Sequence, residues 1–299
     1  MADADCHPFL FDRLLLRARS RRAAALGPAT FLLDRAAADL AERLDAVRRR
    51  FDIVVDLGTP GEAVRNALAP LQSVGALIAA AAVPRLRPSV VTDEEALPFA
   101  TGGIDLVVSA LALQFVNDLP GVLVQIRRAL KPDGLFVAAL AGGETLTELR
   151  QAFAIAESEI EGGVSPRVAP FADLRDLGAL LQRAGFALPV TDIDRITVRY
   201  DSAFALMHDL RRMGATNTLL ARRRVPLRRA TLIRMADIYR ERFADADGRL
   251  RATFEIVWLS GWAPHASQQQ PLKPGSATAR LADALGTREI PTGEKVERR

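Results

Sequence analysis

Lysine is nearly missing from this chain. Lys131, Lys273 and Lys295 are its three lysines, so the 40 basic side chains that balance 36 acidic ones are almost all arginine. The formal charge of +4 and the pI of 9.8 therefore reflect arginine usage of the kind a GC-rich genome imposes, more than a nucleic-acid partner. The arginine runs at 48–50 and 222–224 read as solvated faces, not phosphate tracks. Cysteine is scarcer still. Cys6 stands alone, which excludes an internal disulfide and fits a reducing, cytoplasmic setting. The three histidines, His7, His208 and His265, lie too far apart for ligand-pair spacing, so no metal site is expected. No serine or cysteine has an evident histidine partner, so nucleophilic catalysis has no support. Long apolar runs are also absent. Val74 to Val83 falls short of the roughly 18 residues a membrane span needs and reads as a buried strand. Peripheral contact with a membrane stays open.

What is there is enough for a large core: 49% of the 299 residues are hydrophobic. The first fifty residues are arginine-rich like a transit peptide. However, Asp3, Asp5, Asp12, Asp34, Asp39, Glu42 and Asp45 interrupt the pattern. With apolar residues near helical spacing from Phe31 onward, residues 1–50 are expected to form a docked helical arm.

From residue 51 strands and helices alternate. Strands are expected at Ile53–Leu57, Ala76–Ala82, Ser89–Val91, Ile104–Ser109 and Leu135–Leu140. Helices are expected at Glu62–Leu71 and Leu119–Leu130. Parallel strands joined by helices imply an α/β, Rossmann-like, doubly wound sheet. Further on, helices are read at Thr145–Glu159 and Phe171–Ala184, then one or two strands over Phe186–Tyr200. A helical insertion at about 201–245 precedes a last strand, Thr253–Trp258. Residues 51–263 thus form one domain, and 264–299 a tail over the surface or partly disordered. In such a sheet the ligand lies beyond the carboxyl ends of the strands.

Three blocks sit at those ends: DLGTPG at 56–61, DEEALPF at 93–99, and IDLVVSALALQFVNDLPGVLVQIRRALKPDGLFV at 104–137. They resemble the class I S-adenosylmethionine-dependent methyltransferases. GGETLTELR at 142–150, DLRRMGATN at 209–217 and YRERFADADG at 239–248 extend the resemblance over nearly the whole chain. There it is to the methyltransferase-fold assembly factors of respiratory complex I, whose mitochondrial member is implicated in hydroxylating an arginine of a complex I subunit. A more distant resemblance is to the malonyl-carrier-protein O-methyltransferases of biotin synthesis.

The resemblance implies S-adenosylmethionine as cofactor. Asp56, Gly58 and Gly61 would face its amino-acid portion, and Asp93, with Glu94 beside it, its adenine amine. Ser109, Ala110 and Leu111 would line the pocket beneath the reacting centre, with Gln114 toward a protein substrate, in this family a complex I subunit. Gly142, Gly143 and Glu144 either face substrate or simply turn the chain into the next helix. No catalytic residue is assigned.

Two departures stand out. Thr59, Pro60 and Glu62 replace a cysteine and two glycines of the usual first loop, and Pro60 removes an N–H. Residues 78–83, where an acid should grip the ribose, are all apolar. Three functions follow: a protein-modifying enzyme, an assembly module that has lost the cofactor, or a carrier-protein O-methyltransferase.

Overall fold

A computed structural model describes residues 9–83, 89–269, 276 and 281–288. Cys6, His7 and much of the expected tail lie outside these residues. Residues 1–264 form one compact unit. In the other, 265–299, the described residues include one short helix at Leu281–Leu285.

The first unit opens with helices α1 (Arg13–Ala25) and α2 (Phe31–Asp45). Asp12 caps α1, its carboxylate accepting from Leu15 N at 3.0 Å. Strand β1 (Phe51–Leu57) leads to α3 (Ala63–Leu68), β2 (Val74–Ala81) and β3 (Ser89–Val91). Helix α3 stops short of the expected Leu71 because Pro70 cannot continue it. β4 (Ile104–Ala110), α4 (Leu119–Ala129) and β5 (Leu130–Ala141) follow, then α5 (Thr147–Glu161) and α6 (Leu174–Arg183). β6 (Ala187–Tyr200) and β7 (Leu250–Trp262) enclose α7 (Ala203–Arg212) and α8 (Arg229–Phe243).

The strands make one sheet in the order β3-β2-β1-β4-β5-β7-β6. β1 to β5 are parallel, and β7 runs antiparallel to both of its neighbours. The order reverses between β1 and β4, the place where a doubly wound sheet opens a crevice. The strand period of two decides which helices cover which face. Val55, Leu57, Val107, Phe136 and Ala138 pack with α4 and α6 on one side. Val54, Leu106, Val108, Val137 and Ala139 pack with α2 and α3 on the other. Trp258 is buried in this second cluster, and Trp262 packs against it. A third cluster joins α5, α7 and α8 to the start of β7. It places the inserted helices beside the carboxyl ends of β4 and β5.

Candidate functional site

The turn after β1 is built on two glycines with left-handed backbone, Gly58 at φ +74° and Gly61 at φ +85°. Both angles suit glycine far better than a residue with a Cβ. Asp56, the last acid of β1, is 3% exposed. Its Oδ1 is buried without a hydrogen-bond partner among the described residues. Burial pushes its pKa up to about 7, against the opposing pull of the Thr59 hydrogen bond and the Arg65 charge. Thr59 also ties the turn to the next strand, its Oγ1 accepting from Ala110 N at 2.9 Å. On α3, Arg65 buries Nε and Nη2 with no acceptor among the described residues. A donor-seeking carboxylate and acceptor-seeking guanidinium nitrogens are the complement of an amino acid's ammonium and carboxylate.

The loop after β3 carries Asp93 and Glu94, and here the structure supplies residues that sequence reading missed. Arg13 of α1 donates from Nη2 to Asp93 Oδ1 at 2.8 Å and also to Glu94 Oε2. Arg17 pairs with Asp93 Oδ2. Burial pushes the Asp93 carboxyl upward, but the Glu95 N–H and the two guanidiniums outweigh it and hold the group below its usual range. One signal could have found this: Arg13 and Arg17 stand at i and i+4 directly after a capping aspartate, on one face of a helix. Among the described residues Arg17 is the one donor to Asp93 Oδ2, which leaves a lone pair for a further N–H.

At the tip of β4 the expected residues divide. Ser109 is committed to the fold, its hydroxyl donating to Leu57 O at 2.7 Å, and it does not line the cavity. Ala110 is buried and likewise spent on Thr59. Leu111 does line the cavity, in a left-handed conformation at φ +51°. Leu146, across the cavity, is left-handed too, at φ +56°. Two strained leucines on one cavity are the kind of cost that sites retain.

The cavity measures about 340 Å³. Pro60, Gly61, Leu111 and Gln114 lie along its sheet side, Ala23 and Leu33 along the N-terminal helices, and Met207 and Leu210 on the insertion. Phe115 and Phe171 meet edge to face in its wall, 6.4 Å apart. Polar groups break the apolar lining, among them Arg167, Arg211, Arg212 and Asn217, and with them two acceptors. Gln114 Oε1 is buried with no donor among the described residues, and the Glu255 carboxylate is 4% exposed. Gly142 and Glu144 do not line this cavity. Gly142 N donates to Glu255 O at 2.8 Å, while Gly143 and Glu144 edge a separate depression with Arg175 and Arg195. Asp56, Gly58, Asp93 and Glu94 form a second group beside the cavity, joined to it through Pro60 and Gly61. Among the described residues no His, Cys, Asp and Glu cluster could hold a metal ion, and no helix is long and apolar enough to cross a membrane.

A methyltransferase-domain family profile matches residues 41–138, which hold β1 through most of β5. The fold agrees with the YcgJ protein of Bacillus subtilis, at a TM-score of 0.51 and 14% identity over 77% of this chain and 98% of that one. The fold is thus that of the class I S-adenosylmethionine-dependent methyltransferases. The mitochondrial arginine hydroxylase NDUFAF5 of Homo sapiens is 39% identical over 96% of this chain and 86% of its own length. A malonyl-[acyl-carrier protein] O-methyltransferase of Laribacter hongkongensis is 37% identical over 89% and 95%. Within the methyltransferase superfamily, the chain belongs to the family of NDUFAF5.

Proposed function

We propose that this protein binds S-adenosylmethionine at the tips of β1 and β3 and modifies an arginine side chain of a protein partner during assembly of respiratory complex I. The observation that carries the reading is full-length kinship with a named arginine hydroxylase, joined to a cavity suited to a guanidinium. Gln114 Oε1 offers an acceptor, the Glu255 carboxylate, which takes Arg195 Nε on one oxygen, offers the other, and Phe115 and Phe171 offer ring faces for a planar cation.

The cofactor fits the residues present. The unpartnered Asp56 Oδ1 suits its ammonium, the Arg65 nitrogens suit its carboxylate, and Asp93 Oδ2 suits its adenine amine. When bound, the sulfonium supplies an activated methyl group, so alignment and exclusion of water are the main tasks left to the chain. Leu111 and Leu146 line the cavity, and Met207 and Leu210 of the insertion form part of its wall.

The test is mass spectrometry of complex I arginines from cells with and without the protein. Loss of a modified arginine on deletion supports the reading. Unmodified arginines in both strains, with complex I assembly impaired only on deletion, would assign the non-catalytic assembly role instead. A second reading, carrier-protein O-methylation, rests on Arg211, a cation that lines the cavity with no ion-pair partner among the described residues and suits an acyl carboxylate. Methyl-ester formation on a malonyl carrier by the purified protein would select it.

A further inference from the structure

The cofactor reading leaves the ribose without a ligand, because β2 ends in Ala79, Ala80 and Ala81 and continues into Ala82. The tip of β2 is nevertheless not bare of acid. Glu94 folds back from the loop after β3, and its Oε1 accepts from Ala82 N at 3.4 Å. Its stem lies on the first glycine of the turn: a Cβ at Gly58 would stand 3.0 Å from Glu94 Cγ and 3.5 Å from Oε1. Gly58 N in turn donates to Ala80 O at 2.8 Å, so turn, strand tip and carboxylate converge on one spot. The other oxygen, Oε2, is held by Arg13, whose Nη1 is anchored on Phe115 O at 3.3 Å.

We infer that Glu94 is the ribose-diol ligand of this site, standing in from β3 for the acid that β2 lacks, with Arg13 of α1 as its positioning residue. Among the described residues each Glu94 oxygen accepts one hydrogen bond, which leaves a second lone pair, the requirement for receiving a hydroxyl. A helix far from the sheet in sequence thereby completes the site. The inference rests on the cofactor reading above.

The experiment is titration calorimetry of the full chain with S-adenosylhomocysteine and with its 2′,3′-dideoxyribose counterpart. The wild type should prefer the ribose ligand by about tenfold or more, the worth of one hydrogen bond to a charged group. Glu94→Gln, the same shape without the charge, should lose most of that preference while binding the deoxy ligand like the wild type. Glu94→Asp, which shortens the reach, should lose it too. Arg13→Ala, which also frees Asp93, should weaken both ligands but the ribose ligand more, so that the ribose preference falls, and Arg13→Lys should restore part of that preference. Equal weakening of both ligands in Glu94→Gln, or an undiminished preference, overturns the inference and leaves the cofactor reading standing. Failure of the wild type to bind either ligand at millimolar concentration removes both.

Discussion

Asp56 gives the site a titration that can be followed. Burial holds its folded pKa near 7, above an unfolded value near 4, so the folded state takes up a proton that the unfolded state releases between those limits. The stability contributed by this group is therefore full below about pH 4 and lost as pH rises through about 7. Asp56→Asn should flatten that slope, gaining up to roughly 4 kcal/mol on the wild type at pH 8 relative to pH 4, as read by urea denaturation at the two pH values. Gly142 makes the opposite point. A Cβ there would stand 2.7 Å from Val257 Cγ2 and closer still to Glu255 Oε1, so Gly142→Ala should cost about 1–3 kcal/mol in thermal unfolding. Asp56, Gly58 and Asp93 were legible in the sequence because strand ends and positive-φ turns leave local marks. Thr59 was not: it reads as a lost residue of the loop, yet its hydroxyl joins Asp56 to β4.

Among the elements, β1 to β5 followed from the apolar runs, with edges shifted by a few residues. The final antiparallel pair was harder. β7 reaches from Leu250 to Trp262, well past the apolar run at its middle, because pairing with all of β6 holds its polar ends extended. Helix α1 left the weakest trace, since Ala23 is its one buried residue and five of its 13 residues are arginines. Its attachment is largely polar and distant in sequence: Arg13 and Arg17 on Asp93 and Glu94, Arg19 on Thr216, and Arg222 on Asp12 at 3.1 Å. These groups are partly exposed, so Arg13→Ala should destabilise by about 1–2 kcal/mol, less than a fully buried pair would lose. Hydrogen exchange should then accelerate in α1 and stay unchanged in α2, which is held by Leu33, Leu40 and Leu44 in the core. Asp93 has a lowered pKa, so its part of this attachment is full above the unfolded value near pH 4 and lost as pH falls below it.

At the scale of the molecule, the cavity belongs to no single stretch. Ala23, Leu111, Phe171, Met207 and Phe254 come from five separate parts of the chain, and only the folded sheet brings them together. No spacing in the sequence encodes that meeting, which is why the strand tips were readable and the chamber beyond them was not. The separation also permits a test of division of labour. The residues proposed to hold the cofactor lie on the β1, β2 and β3 side, whereas Met207 reaches the cavity from α7. Met207→Trp adds bulk to a space of about 340 Å³ without touching Asp56, Asp93 or Glu94. Binding of S-adenosylmethionine should stay within about twofold of the wild type, and a saturating ligand should still raise the melting temperature. Arginine modification, followed by mass spectrometry of complex I from cells carrying the variant, should fall by at least about tenfold, equivalent to roughly 1.4 kcal/mol of lost substrate binding. Unchanged modification would move the substrate out of the cavity, to the separate depression edged by Gly143 and Glu144.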